Sequence, residues 1–453
     1  MFKKQVLFNV EKEEKILVLS KNSENEVVKG ILNSLGVMVD DLENDLEIIN
    51  TLGKITAKKV VFINEDKALE KGFNALFNLK SDLLVLVDTF KNENVKSFFE
   101  HLVVSSYKFL TFKSKEKQNN IDVYYYDSNN LEDLVNEGIV YGEAINKTKD
   151  LVNKPYNYLN AKDLANYAKG LEELDNIKVS IYGKKECEDM SMGSYLGVNK
   201  GSKDEPQLIH VRYTGNKDDK EIIGLVGKGV MYDTGGYSLK TTTGMPSMKC
   251  DMAGAATVLG VIEIIAKLKS KVNVDVVIAA TDNRIGDDAI VPDDILTAAN
   301  GMTIEILSTD AEGRLTLADA LWFAQKEGAT KLIDIATLTG AIVAALGKEY
   351  TGVFTNNQEF LDSLIAVSNK NNELLWQMPM SDGYRKELKS FSADMKNSSA
   401  NRLAGASVAA CFLENFVEKE NKWIHIDIAG TAYEDKHGGT GVMVKSLADF
   451  LRK

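Results

Sequence analysis

The 453-residue sequence is poor in the residues from which disulfide and zinc frameworks are usually read. Its three cysteines, Cys187, Cys250 and Cys411, are far apart and odd in number. That excludes a disulfide framework or a CxxC metal site and makes a reducing compartment the simplest setting. The four histidines, His101, His210, His425 and His437, are scattered and form no HExxH pair. A long basic block is also missing, and the net charge is −12. Nucleic acid and anionic membrane both require a positive footprint, so neither is expected as a main partner. The longest apolar stretch, IATLTGAIVAALG, is well short of the ~20 residues of a spanning helix. The opening MFKKQVLFNVEKEEKILVLS mixes charges through its length and lacks the apolar core of a signal peptide. A cytoplasmic protein without membrane contact is expected, and no internal repeat or low-complexity segment is visible.

What is present is an alternating pattern. A hydrophobic share of 44% with 26% charged residues fits a soluble globular chain. The length suggests more than one domain. In the first third, the runs KILVLS, KVVFIN, DLLVLVDTF, KFLTFK and DVYYYD read as strands. Between them ENEVVKGILNSLG, KALEKGFNALFNLK and NVKSFFEHLVVSSYK have helical spacing. A long helical stretch, LEDLVNEGIVYGEAINKTKDLVN, ends at Lys154-Pro155, where proline disfavours a helical neighbour. Beyond it KVSIYG, QLIHVRYTG, EIIGLVG, NVDVVIAATDN, MTIEILS, KLIDIATL and KWIHIDIAG read as strands. AGAATVLGVIEIIAKLK, LTLADALWFAQKEG and GASVAACFLENFVEKE read as helices. Such alternation predicts an α/β fold with a mixed, mostly parallel central sheet. The expected division is an N-terminal α/β domain over 1–130, a linker helix over 131–155 and a catalytic domain over 156–453.

Charged residues in the second part collect where strands end. Lys228 and Asp233 follow EIIGLVG in GKGVMYDTGGYSLK, Asp251 opens AGAATVLG, and Asp310 and Glu312 follow MTIEILS. In an extended segment, residues two apart share a face, so Asp310 and Glu312 should aim together. Sites of α/β sheets gather beyond the carboxyl ends of strands. Four carboxylates there repel unless cations intervene, and divalent metals resolve that conflict. Each residue also has a plainer reading. Asp251 alone reads as a helix N-cap, and Asp310 and Glu312 as a turn and a helix-start acid. Lys228 is not a P-loop lysine, because GLVGKG lacks the spacing and the hydroxyl residue. Cys250 reads as a packing thiol, and Trp322 and Phe323 as core.

The segments VGKGVMYDTGGYSLK, MKCDMAGAATVLG, STDAEGRLTLADAL and DIATLTGA together resemble the leucyl (cytosol) aminopeptidase family of di-metal exopeptidases. TKDLVNKPYN, MSMGSYLGVNKGS, ADMKN and HIDIAGTAY extend the resemblance over roughly residues 145–453. The resemblance implies that Lys228, Asp233, Asp251, Asp310 and Glu312 ligate two divalent ions, Mn²⁺ or Zn²⁺, with Mg²⁺ at the exchangeable position. It implies Asp233 and Glu312 as bridges, and Lys240 and Arg314 as the catalytic pair, with bicarbonate held at Arg314. Thr337, Leu338 and Gly340 match the loop that lines the substrate cleft. Met248 and Gly439 resemble positions bordering the specificity pocket. The implied activity is release of neutral, leucine-like N-terminal residues from peptides by attack of a metal-activated water, in a homohexamer.

The sequence departs from the family wording at Ser308, where asparagine is usual, and at Thr234, where serine is usual. VPDD replaces an RPGD-like turn, and GGTGVMV replaces a segment reading TGRPV. None of these is an implied ligand. Gly439, lacking a side chain, is expected to open the pocket and relax preference beyond leucine. The rival readings are a dipeptidase or amide metallohydrolase of narrower range, and a DNA-binding regulator.

Overall fold

The computed structural model describes residues 2–21, 24–65, 73–116, 121–401 and 403–453. They form two compact units, Met1–Asn146 and Lys147–Lys453. The division falls inside the helix Glu132–Asn153, the long helical stretch of the sequence.

The first unit holds a six-stranded sheet in the order β1-β6-β5-β2-β4-β3. Its strands are β1 (Phe2–Lys4), β2 (Ile16–Ser20), β3 (Leu46–Asn50), β4 (Lys59–Ile63), β5 (Leu83–Leu86) and β6 (Val123–Tyr126). All pairings are parallel except that of β3 with β4. Helices Glu26–Leu35 and Asn92–Ser105 lie where the spacing predicts them. KFLTFK does not form a strand; Lys113 N–H donates to the Leu110 carbonyl in a turn. Of KALEKGFNALFNLK, Asn74–Phe77 is helical, and residues 67–72 lie outside the described residues.

The second unit is built on a nine-stranded mixed sheet. Along the chain it uses β7 (Ile177–Tyr182), β8 (Gln207–Thr214), β9 (Ile223–Gly227), β10 (Gly229–Asp233) and β11 (Asn273–Asn283). After β12 (Ile295–Thr297) and β13 (Thr303–Glu305) come β14 (Lys331–Ala336), β15 (Thr351–Thr355) and β16 (Leu375–Gln377), then β17 (Met395–Lys396) and β18 (Lys422–Asp427). The order is β16-β15-β18-β14-β9-β11-β8-β7, with β10 added to β11. Its centre, β18-β14-β9-β11, is parallel, and β7, β8 and β15 join antiparallel. MTIEILS contributes only β13, which joins β12 and β17 in a separate three-stranded sheet.

Helix Ala253–Lys267 is apolar nearly all round and is buried from Ala253 to Ala266, as a helix without a polar face must be. Its one buried acid, Glu263, is paired with Lys147 at 2.6 Å and Lys267 at 2.8 Å. Helix Gly313–Lys326 packs on the other side of the chain's core with Leu315, Leu321 and Phe323. Trp322 is only partly buried against that core, while Phe323 lies within it.

One buried acid of that helix has no cationic partner among the described residues. Asp319 accepts from Tyr195 N–H and Ala299 N–H, each at 2.8 Å. Burial pushes its carboxyl up to about 7 against the pull of those amides. The folded state therefore holds a proton there that the unfolded chain releases near the ordinary carboxylate value. Stability from this group is full below that value and is lost as pH rises through about 7. The slope reaches at most about 1.4 kcal/mol per pH unit. Asp319→Asn is expected to be less stable at pH 5 but to show a flatter decline to pH 8.5. Thermal unfolding of both proteins across that range checks it; parallel declines would refute the assignment.

Candidate active site

Lys228 is the single residue between β9 and β10, which run on along the same neighbour, β11. Val226 pairs with Val277, and Gly229 pairs with Ala280 in the same register. Between Val230 and Asp233 the register shifts by one residue. Lys228 and Asp233 are five apart and would face opposite ways on a regular strand. The irregularity moves Asp233 round to the side of Lys228. Tyr232 is left pointing the other way, against Arg284.

The remaining acids arrive from two helix starts. Asp251 lies in the 3₁₀ turn Met248–Met252 that leads into helix 253–267. It caps nothing. Its Oδ1 receives Lys228 Nζ at 2.8 Å and Thr337 Oγ1 at 2.9 Å. Asp310 and Glu312 do not lie in an extended segment as expected. Thr309 and Asp310 form a turn, and Glu312 is the helical-conformation cap of helix 313–326. They converge nonetheless, and Asp233, Asp310 and Glu312 offer oxygens within 4.8 Å of one another.

Two lysines stand among the four carboxylates. Lys228 Nζ lies 2.8 Å from Asp251 and 3.0 Å from Glu312, and donates to the Thr337 carbonyl at 3.0 Å. Lys240 Nζ lies 2.8 Å from Asp233 and 2.6 Å from Asp310. Burial works against both ammonium groups, yet the surrounding carboxylates win and hold both lysines above their ordinary value. Burial, then the Glu312 charge, raises Asp233. Asp251 is raised mainly by burial, and Asp310 is pushed up to about 6 by burial and by Asp233. Glu312 goes the other way, because Lys228 and Lys240 outweigh its burial.

Two lysines balance only two of four carboxylates. Asp251 Oδ2 and Glu312 Oε2 are buried with no hydrogen-bond partner among the described residues. Buried acceptors without donors are costly, and carboxylate oxygens suit divalent cations. This donor set therefore fits metal, with Lys228 able to join only as the neutral amine.

Arg314 follows Glu312 by two residues and is buried. Its Nη1 donates to the Asn397 carbonyl at 2.7 Å, and its Nε has no partner among the described residues. Burial lowers its guanidinium to about 10, with Glu312 and Asp427 opposing, so it stays charged at neutral pH. Thr337 is part of the site through both its oxygens. Leu338, half-buried, and Gly340, exposed, continue the loop. Met248, half-buried, begins the turn that carries Asp251. Gly439 is buried, and its N–H donates to Asn153 Oδ1 at 2.9 Å. A side chain there would come within 2.8 Å of Val152 Cβ. Close packing on helix 132–153 thus accounts for this glycine, rather than the widened pocket expected of it.

Sequence reading missed three buried supports. Asn283 donates to Asp233 Oδ1 at 2.9 Å and to the Thr309 carbonyl at 3.0 Å. Thr309 accepts from Ser238 N–H at 2.7 Å and donates to the Gly235 carbonyl at 2.5 Å. Asp427 receives Leu338 N–H at 3.0 Å and Thr339 Oγ1 at 2.7 Å, which fixes the loop after β14. Asp427 is the last residue of β18, within KWIHIDIAG, so its place at a strand terminus was the available signal.

Comparison with known proteins gives the class first. Residues 146–448 match the catalytic-domain model of a peptidase family, which makes the chain a hydrolase of α/β type. That family is described as the cytosol aminopeptidase family. A protein of Fusobacterium nucleatum named probable cytosol aminopeptidase is 43% identical over 388 residues, covering 84% of this chain and 80% of that protein. A Bacillus subtilis protein of the same name is 42% identical over 393 residues, covering 83% and 78%. The chain belongs to the cytosol aminopeptidase family. Membership carries metal-dependent aminopeptidase chemistry and favours neither the DNA-binding nor the narrower amide-hydrolase reading. Among the described residues, no helix is long and apolar enough to cross a membrane.

Proposed function

We propose that this chain removes neutral, leucine-like residues from the N-termini of peptides, using two divalent ions held by Lys228, Asp233, Asp251, Asp310 and Glu312. The observation that carries the reading is the excess of buried carboxylate over lysine, with Asp251 Oδ2 and Glu312 Oε2 left without donors. Asp233 and Glu312 are the proposed bridges. Mn²⁺ or Zn²⁺, with Mg²⁺ allowed at the Asp310 position, would supply a polarised carbonyl and an activated water, and bicarbonate a proton acceptor.

The chain's own residues do the rest. Lys228 would have to give up its proton to ligate, which would couple loading to pH. Lys240, held protonated, offers N–H donors to the oxyanion that develops on the scissile carbonyl. Arg314 holds the bicarbonate, with its buried Nε as the free donor. Met248, Thr337, Leu338 and Gly340 line the cleft for the first side chain, and Gly439 borders it through its backbone. The proposed division is an N-terminal domain over 1–130, a linker helix over 131–155 and the catalytic domain over 156–453. A homohexamer in the cytoplasm is the proposed working state, and the three unpaired, buried cysteines suit that compartment.

Hydrolysis of leucine p-nitroanilide tests the reading. Activity is expected to vanish on chelation and to return with Mn²⁺ or Zn²⁺, and Glu312→Gln is expected to stay inactive with either ion. Full activity in the presence of a strong chelator would overturn it.

A further inference from the structure

The β13–β17 pairing has a consequence for the acids of the turn. It is parallel, with Glu305 opposite Lys396, so the residue after β17 is delivered beside the chain leaving β13. That residue is Asn397, which is fully buried. Its N–H donates to the Glu305 carbonyl at 3.0 Å. Its Oδ1 accepts from Leu307 N–H at 2.8 Å and Ser308 N–H at 3.3 Å. Its Nδ2 donates to the Ser308 carbonyl at 2.7 Å and reaches the Ala311 carbonyl at 3.5 Å. Its own carbonyl accepts from Arg314 Nη1 at 2.7 Å.

We propose that Asn397 is a positioning residue that fixes the turn bearing Asp310 and Glu312 and holds Arg314 at a set distance from it. Only an amide can do this. Two acceptor lone pairs and two N–H donors on one rigid plane match two amides and two carbonyls of a single turn. A buried turn whose backbone groups lacked these partners would rearrange to find others, and the carboxylates would move with it. Asn397 touches no reacting atom and acts through the turn and the arginine. The inference rests on Asp310 and Glu312 being metal ligands. Partners that orient ligands typically change metal affinity by about 10–100-fold when removed.

The test titrates Mn²⁺ into chelator-stripped full-length protein and reads free Mn²⁺ by electron paramagnetic resonance. Wild type is compared with Asn397→Ala, Asn397→Asp and Glu312→Gln, with melting temperatures in parallel. Asn397→Ala is expected to bind Mn²⁺ about 10–100-fold more weakly, and to lower kcat with little change in KM. Asn397→Asp retains the acceptor oxygen for Leu307 and Ser308 and, protonated in this buried place, one O–H donor for the Ser308 carbonyl, so it should fold and fall between Ala and wild type. It carries the comparison if the alanine variant does not fold. A lowered melting temperature with wild-type Mn²⁺ affinity in the variants that fold, while Glu312→Gln binds weakly, would reduce Asn397 to a structural residue. Unchanged binding in Glu312→Gln would instead remove the ligand reading, and the inference with it.

Discussion

Lys240→Ala is expected to lower kcat for a leucine anilide by about 10²–10³-fold, the usual loss for one preorganised donor at an oxyanion. KM should move far less. Lys240 is 18% exposed at its side chain and sits 2.8 Å from Asp233 and 2.6 Å from Asp310. Those acids hold it charged and aim it at the same space that their oxygens enclose. With the acids engaged by metal, the ammonium would have donors to spare for the substrate. Lys240→Arg should recover little, because a planar fork replaces a compact point charge. Steady-state kinetics on metal-saturated protein checks this. A kcat within threefold of wild type would remove Lys240 from the chemistry.

The largest effect on folding is expected at Gly254. A Cβ there would lie 2.2 Å from the Ile335 carbonyl oxygen and 3.1 Å from Lys228 N. Those two backbone groups are bonded to each other at 3.0 Å, and Lys228 O accepts from Ala255 N–H at 2.9 Å. No side chain can move aside to make room, so the helix start must lift from β14 and β9. Overpacking of this kind costs about 1–3 kcal/mol and more where backbone is struck. Gly254→Ala should lose at least the upper part of that range in urea unfolding. It should also lose activity, because lifting the helix withdraws Asp251. A change under 0.5 kcal/mol would mean the helix start is looser than its hydrogen bonds indicate.

The central strands were legible because burial on both faces writes itself as an unbroken apolar run, as in EIIGLVG and NVDVVIAATDN. Apart from buried β10, the strands that escaped are peripheral. β1 is three residues and mostly exposed, and β3 is a half-buried edge. β15 and β16 were missed too; TGVFT is broken by glycine, and LWQ is only three residues long. KFLTFK carries strand-forming residues but no strand, since composition does not say whether a partner edge is available. At the site, the acids were visible as charges at strand ends. The route by which they meet was not. A one-residue register shift after Val230 and a turn at Thr309 do what an extended chain was expected to do. Neither leaves a mark in residue type. Asn283, Thr309 and Asn397 were invisible for a related reason, because a lone buried amide or hydroxyl has no spacing to read.

The irregularity between Val230 and Asp233 makes the site a matter of counting as well as of chemistry. Substitutions at Met231 or Tyr232 preserve the number of steps from Lys228 to Asp233. Straightening the strand at its present length would turn the carboxylate toward Arg284, whereas loss of one residue there would remove the irregularity and leave the carboxylate four steps from Lys228, on the same side. A relative shortened by one position in this segment would therefore still present lysine and aspartate on one face, through a regular strand. A gap of one residue between Gly229 and Asp233 is thus no sign, by itself, of a dead member.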